Sequence, residues 1–363
     1  MSLYAILLAG GSGTRLWPVS RRNTPKQLQP ILGTDTLLRS TWKRLRAGLP
    51  ASRILVVTNA AQAELIRKDL PELPSMNLLV EPMKRDTAAA IGFGTAVVLS
   101  RDSRATIATI NSDAYVKNEK EYWRVIRLTE KAARKSGKIA LVGVRPSYPE
   151  TGYGYIKMGS QAMRFKRHGG YDEVFDVEGF REKPDLATAE KYVSQWEYLW
   201  NPTLIVADAK TLMNAFKAHL PKTWKLLEQI RSASGTARFE KTLVRAFERI
   251  VPISIDYGVL EKEKKMVVVP ADFGWADVGH WRAVHDVLSG KPEANVVRGT
   301  HISHDSSGNL LYSFTGKLIA TAGLKDMIVL ETEDVVLVCP KNRAQDVKKI
   351  VEALEKKKMK KYL

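Results

Sequence analysis

The first 145 residues alternate between short, unbroken apolar runs and longer stretches whose apolar positions recur every three or four residues. Residues 3–8 and 54–58 read as buried strands, followed by Leu78-Leu79-Val80, Thr106–Ile110 and Ile139–Val144. Short runs without polar alternation suit strands covered on both faces. Helical spacing falls between them, around 36–46, 62–70, 87–100 and 119–136. Strand and helix in alternation predict an α/β fold with a mostly parallel sheet covered on both sides, which places ligand sites at the carboxyl ends of the strands.

The middle third has a different character. Thr151-Gly152-Tyr153-Gly154-Tyr155-Ile156 and Val177-Glu178-Gly179-Phe180-Arg181-Glu182-Lys183-Pro184 predict sheet extensions separated by a hairpin-like insertion. A helix over 185–195 follows, with further helices over 208–218 and 237–249, then the strand Met266–Val269. After about residue 288 the alternation stops, and Ser289-Gly290-Lys291-Pro292 reads as a linker. The β-rich runs Asn295–Ser303, Asn309–Ser313, Lys317–Ala320, Met327–Glu331 and Val335–Val338 predict a small C-terminal β domain, closed by a helix over Gln345–Lys358. The expected division is therefore 1–288 and 289–363. A short left-handed β-helix is one form for the second part, since a single turn of one leaves too little sequence to show a repeat.

The first strand runs directly into Leu8-Ala9-Gly10-Gly11-Ser12-Gly13-Thr14-Arg15, and Lys26 follows eleven residues later. Glycines let backbone N–H groups approach an anion without interference from a Cβ, and two cations offset charge developing on a phosphate under attack. Neither common phosphate motif fits. Gly11-Ser12-Gly13-Thr14-Arg15-Leu16 lacks the third glycine of a dinucleotide fingerprint, and no Gly-Lys-Ser/Thr closes a P-loop. On glycines alone the run is equally a tight turn. Basic charge gathers beside it: Arg15, Arg21, Arg22, Lys26, Arg39, Lys43, Arg44 and Arg46 stand against a single acid, Asp35, in residues 1–50.

Charge over the whole chain changes the picture little. A formal net charge of +18 suits acidic partners, but the basic residues lack the context of an RRM, zinc finger or helix-turn-helix, so nucleotides and phosphosugars are expected rather than nucleic acid. The lysine-rich end, 348–363, reads as a solvated helix face because it has no aromatic amphipathic side. One cysteine, Cys339, excludes an intrachain disulfide and suits a reducing cytoplasm. No run approaches 18 apolar residues and no leader pattern precedes the first strand, so a cytoplasmic protein without membrane contact is expected.

Asp113 and Asp277 are the candidate metal ligands. Each follows an apolar strand in a loop, and chemistry at a phosphate commonly uses a hard cation held by one or two carboxylates. A strand-terminal Asp is by itself more often a helix cap or turn former. The motifs at 8–28, 81–91, 111–113, 152–156, 178–185 and 254–281 together resemble the mannose-1-phosphate guanylyltransferases, a branch of the sugar-1-phosphate nucleotidylyltransferases. The most telling stretch is Ser254-Ile255-Asp256-Tyr257-Gly258-Val259-Leu260-Glu261-Lys262 with Phe273-Gly274-Trp275-Ala276-Asp277-Val278-Gly279.

That resemblance covers essentially the whole chain. It implies a Rossmann-like sheet of the nucleotide-diphospho-sugar transferase type, Mg²⁺ as cofactor, GTP and a sugar 1-phosphate as substrates, and a homodimer. It further implies that residues 8–14 bind the triphosphate, that Arg15 and Lys26 contact phosphates, and that Asp113 and Asp277 hold the metal. Glu81, Pro82, Arg85, Asp86, Thr87 and Ala88 would flank the base, and Gly152, Glu182, Lys183 and Asn201 would form the sugar pocket. Little chain is left for the isomerase domain that some relatives carry.

Three stretches depart from the family pattern. Asn111-Ser112-Asp113-Ala114 stands for Pro-Ala-Asp-His, and Arg85-Asp86-Thr87-Ala88-Ala89-Ala90 for Arg-Asn-Thr-Ala-Pro-Ala. Trp200-Asn201-Pro202-Thr203 stands for Trp-Asn-Ser-Gly, where proline removes an N–H and fixes φ. Other readings stay open on these grounds: the same chemistry on another sugar such as a manno-heptose 1-phosphate, or a nucleotide-sugar sensor without catalysis. Retention of Lys26, Asp113 and Asp277 favours an enzyme. Trp200, Trp275 and Trp281 read first as core, and His301 and His304, three apart on a predicted strand, face opposite ways.

Overall fold

The computed structural model describes every residue except Met1, Ser12 and Arg22. Ser12, expected in the nucleotide loop, lies outside the described residues. The chain forms two compact units. One comprises Met1–Gly10, Lys43–Ser112 and Val116–Trp275, and the other Gly11–Trp42, Asp113–Tyr115 and Ala276–Leu363.

The first unit is built on a ten-stranded sheet. Leu3–Leu8 pairs in parallel with Ile54–Asn59 on one side and Thr106–Asn111 on the other, and Leu78–Glu81 extends the parallel set beyond Ile54–Asn59. Ile205–Asp208 interrupts it, running antiparallel between Thr106–Asn111 and Ile139–Val144. A long hairpin, Gly154–Arg167 with Gly170–Glu182, adds antiparallel strands next to Met266–Ala271.

Helix Asp86–Arg101 shows how local sequence dictates packing. Its run of Ala, Gly, Ile and Val is buried on nearly every side. An added Cβ at Gly94 would lie 2.8 Å from Ile6 on the sheet, and one at Gly92 would lie 2.5 Å from Leu227 on helix Pro221–Ala233. The small residues let backbone approach side chain on both faces. Gly92→Ala would overpack this contact by about 1–3 kcal/mol. Helix Pro221–Ala233 was not among the predicted elements, although Pro221 at its first turn and Leu226, Leu227 and Ile230 carry its signal. No described helix is long and apolar enough to cross a membrane.

In the second unit, Val296–Arg298, Leu310–Ser313 and Met327–Glu331 stack in parallel, with Val296 opposite Leu310 and Leu310 opposite Ile328. His301–His304 and Ile319–Ala322 stack in parallel on a second face. Successive turns of a β-helix produce this pattern. Asn309 ties the turns together: its amide donates to Asn295 Oδ1 and Leu324 O, and its Oδ1 accepts from Met327 N. Each buried amide atom is satisfied, which the interior requires. Leu310, Tyr312, Ile328, Leu330 and Leu337 share one apolar core with Leu16, Trp17 and Ile31 from the N-terminal loop and with Trp281, Val284, Val347 and Val351. The glycine loop thus folds as part of the C-terminal unit.

Candidate functional site

Each unit gathers its own set of polar groups. In the C-terminal unit, Gly13 adopts φ 60, in the left-handed region, and starts the 3-10 turn Thr14–Leu16. A Cβ at Gly13 would strike the Lys26 stem at 2.6 Å and Ser20 Oγ at 2.8 Å, so this position requires glycine twice over. At Gly11 an added Cβ would meet no atom within 4 Å among the described residues. The two glycines do different work: Gly13 turns the chain and seats Lys26, whereas Gly11 sits where a side chain would have room, and its carbonyl accepts from Gln27 Nε2.

Lys26 is buried, and its ammonium lies 2.8 Å from Asp113 Oδ2 and 3.6 Å from Asp277 Oδ1. Burial alone would depress the pKa of this amine, but the two carboxylates outweigh it and hold it above the ordinary lysine value. Two carboxylates from distant parts of the sequence therefore converge on one cationic point. Among the described residues no three or more His, Cys, Asp or Glu gather as a metal site. A pair suits magnesium, which takes one or two carboxylates and completes its shell with water and substrate phosphate.

Gly279 follows Asp277 closely. A Cβ there would lie 2.7 Å from Asp277 Oδ2 and 3.4 Å from Arg15 Nη2, so glycine allows the carboxylate and the guanidinium to stand side by side. His280, which the sequence reading passed over, caps helix Trp281–Leu288 by accepting the Ala283 N–H at Nδ1. Burial and the positive charge of Arg15 push its imidazole down to about 4, so it is neutral with its proton on Nε2.

In the sheet unit, Glu182, Lys183 and Asn201 come together with two acids to which the sequence reading gave no role, Asp256 and Glu261. Gly154 pairs with both Glu182 and Asn201, and a Cβ on it would lie 2.5 Å from Glu182 Oε2. The missing side chain is the space in which the Glu182 carboxylate sits. Glu261 accepts the Glu182 N–H at 2.9 Å, and Lys183 Nζ lies 3.3 Å from Glu182 Oε1. Asn201 donates to Asp256 Oδ1 at 2.8 Å and accepts the Thr203 N–H at 3.0 Å. Its amide therefore orients Asp256 and the following loop. Burial, with the mutual repulsion of the two acids, holds Glu182 above the usual carboxylate range; burial does the same to Asp256 against the Lys183 charge and the Asn201 hydrogen bond. Asp256 opens a short π-helical turn, Asp256–Leu260, a geometry that recurs at functional sites.

Glu81 ends strand Leu78–Glu81. It is 7% exposed, and its buried Oε1 has no hydrogen-bond partner among the described residues. Burial first, and the Asp86 charge second, raise its carboxyl from 4.5 to about 7. Pro82 follows it out of the sheet. The neighbouring segment is firmly anchored. Arg85 donates to Phe247 O and Glu248 O, Thr87 Oγ1 accepts the Ile255 N–H, and Ala88 N donates to Ile253 O. Arg85 and Thr87 thus hold the 253–255 loop and helix end. Asp86 has φ 66, a backbone that Asp and Asn tolerate better than other L residues. Leu8 and Ala9 lie at the carboxyl end of the first strand, where Ala9 N donates to Val57 O. A Cβ on Gly10 would come no closer than 4.0 Å to Glu81 Oε2. Gly152 N donates to the Glu150 carboxylate at 2.8 Å, a hydrogen bond outside the acid cluster. Trp200 and Trp281 are buried core residues, whereas Trp275 packs edge-on against Tyr153.

Comparison with known proteins gives this geometry its relatives. The nucleotidyl transferase family matches residues 4–292, and the MannoseP isomerase/GMP-like β-helix domain matches residues 299–354. The mannose-1-phosphate guanylyltransferase of Escherichia coli K12 is 34% identical over 359 residues, covering 97% of this chain and 73% of its own. That of Salmonella montevideo is 35% identical over 353 residues, covering 96% and 73%. A solved Thermus thermophilus structure, described as a mannose-1-phosphate geranyltransferase, superposes with a TM-score of 0.86 at 34% identity over 98% of this chain and 100% of that one. A glycine turn that seats a lysine beside two carboxylates, on a chain whose residues 4–292 match one family, leaves one assignment: the chain belongs to the nucleotidyl transferase family.

Proposed function

We propose that this protein transfers GMP from GTP to mannose 1-phosphate, giving GDP-mannose and pyrophosphate. The observation that carries the reading is the convergence of Asp113 and Asp277 on Lys26, directly behind the glycine turn. A sugar 1-phosphate oxygen is already an anionic nucleophile, so no Ser, Cys or His has to be activated. It attacks the α-phosphorus of GTP, a new P–O bond forms, the α–β bridging P–O bond breaks, and pyrophosphate leaves without net proton transfer. The difficulty is bringing two anions together and stabilising charge at the α-phosphate.

Arg15 and Lys26 suit that task, and at Gly10 and Gly11 no side chain intervenes between backbone and triphosphate. Asp113 and Asp277 would hold Mg²⁺, which when bound supplies Lewis-acid stabilisation to phosphate oxygens. Glu81 suits the guanine edge, whose adjacent N1–H and N2–H donors match a buried carboxylate with an unpartnered oxygen. Adenine presents an acceptor where guanine has N1–H, so the same carboxylate disfavours it. In the acid cluster, Lys183 suits the sugar phosphate, and Glu182 and Asp256 suit sugar hydroxyls. The names of the relatives support mannose as the sugar.

The test is pyrophosphate release across four nucleoside triphosphates and several sugar 1-phosphates, with Asp113→Asn and Asp277→Asn alongside. GTP with mannose 1-phosphate should exceed every other pair, and each Asn variant should lose turnover while keeping its fold, because Lys26 retains one carboxylate in each. Wild-type turnover in either variant, or equal use of all sugars, would overturn the reading.

A further inference from the structure

Arg15 is held from the far end of the chain. Its Nη1 donates to Gln345 Oε1 at 3.0 Å across 330 residues of sequence. An exposed Arg–Gln hydrogen bond is ordinarily dispensable, but both ends of this one stand on fixed backbone. Next to Arg15, Leu16 is fully buried, and Trp17 donates from Nε1 to Tyr362 O and accepts from Trp281 Nε1 at its carbonyl. Next to Gln345, Ala344 is buried in the same core as Leu16, and Val347 follows on the helix Val347–Lys356.

The choice of a neutral partner is informative. Arg21, six residues further on, is paired with both oxygens of Asp334, at 2.9 and 2.5 Å, so its charge is answered within the protein. Gln345 fixes one side of the Arg15 guanidinium with a carbonyl oxygen and adds no negative charge of its own. On the other side, a Cβ added to Gly279 would lie 3.4 Å from Nη2 and 2.7 Å from Asp277 Oδ2, so glycine keeps the guanidinium and that carboxylate clear of a side chain. We infer that Gln345 is a positioning residue: it orients the Arg15 guanidinium toward the polyphosphate without neutralising it, which makes the C-terminal segment a working part of phosphate recognition. The inference rests on the phosphate role given to Arg15 under the proposed function.

Two substitutions separate orientation from stability. Gln345→Met keeps the length and removes the acceptor; Gln345→Glu keeps an acceptor and adds the charge that glutamine avoids. A structural contact would be strengthened by the Glu variant, since an ion pair replaces a neutral bond. The positioning role predicts the opposite order in function. KM for GTP should rise about 3- to 10-fold in Gln345→Met and further in Gln345→Glu, with KM for mannose 1-phosphate within about twofold and the thermal midpoint of Gln345→Glu at or above wild type. The same variants are titrated with inorganic tripolyphosphate, which reads the phosphate site without a base or a sugar. Should wild type bind tripolyphosphate but not turn over GTP with mannose 1-phosphate, the proposed function fails while the affinity order still decides the role of Gln345. Variants within twofold of wild type in tripolyphosphate affinity, or an Arg15→Ala variant that binds it as well as wild type, would overturn the inference.

Discussion

Glu81→Gln should make the protein more stable at neutral pH and worse at recognising GTP. Glu81 titrates at 4.5 when exposed and at about 7 in the folded chain, because burial and the nearby Asp86 charge disfavour its ionised form. A group raised by folding binds protons more tightly in the folded than in the unfolded state. Its contribution is then fully present below pH 4.5 and is lost as pH rises through about 7. At about 1.4 kcal/mol for each pH unit of separation, the loss approaches about 3 kcal/mol. Glu81 is buried enough that solvent screening takes little from this figure. Glutamine does not titrate, so the stability of Glu81→Gln relative to wild type should grow between pH 5 and 8.5 by that order. Urea unfolding of both proteins without nucleotide, at steps across this range, measures it. The same substitution replaces one acceptor by an amide NH₂ that opposes the guanine donors, weakening GTP by about 1–3 kcal/mol. A stability difference that stays flat with pH would refute the buried, raised carboxyl. Unchanged GTP affinity would remove Glu81 from the base site.

Two further substitutions follow from the same geometry. Asn201→Ala removes the donor that lowers the Asp256 pKa and frees the Thr203 N–H, so KM for mannose 1-phosphate should rise by the equivalent of about 1–3 kcal/mol and the acid limb of its pH profile should move upward; equal loss for both substrates would refute a sugar-side role. Deleting residues 290–363 strips Leu310, Ile328, Leu330, Leu337 and Val347 from around Leu16, Trp17 and Trp281, so aggregation or changed assembly with loss of triphosphate binding is expected, and a soluble, active truncated protein would contradict the shared core.

The sequence showed what periodicity and local motif can show. Apolar runs located the parallel strands at 3–8, 54–59, 78–81, 106–111 and 139–144 because each is covered on both faces and carries no alternation. Tyr198–Asn201 and Ile205–Asp208 were not foreseen, as four residues are too few to display a period. The glycine turn with Lys26, and the two aspartates, were readable from residue type and strand position. Gln345 was not, since a glutamine on an exposed 3-10 turn gains meaning only from the guanidinium it meets. Asp256 lies in the stretch that carries the resemblance, but no role was assigned to it. Its sign in the sequence is an acid inside Ile253-Ser254-Ile255-Asp256, but only folding shows that the burial is real.

The backbone around the acid cluster carries an argument of its own. Three described non-glycine residues of the sheet unit have positive φ: Asp86 at 66, Lys183 at 46 and Thr203 at 57. Each is tied to the cluster: Lys183 pairs with Glu182, Thr203 binds Asn201, and the Asp86 charge acts on both Asp256 and Glu81. Thr203 is the hardest to accommodate, because a β-branched side chain in the left-handed region is strained by about 1–2 kcal/mol. The related motif has glycine at this position, which takes that backbone freely, so Thr203 keeps the turn at the expense of strain. Asn201 holds it by accepting the Thr203 N–H, and the same amide orients Asp256. Random tolerance of strain would scatter such residues over loops throughout the unit. Their concentration around Glu182, Asp256 and Glu81 means that the surrounding packing fixes these carboxylates in one arrangement, which is what the sugar and base roles proposed for them would require.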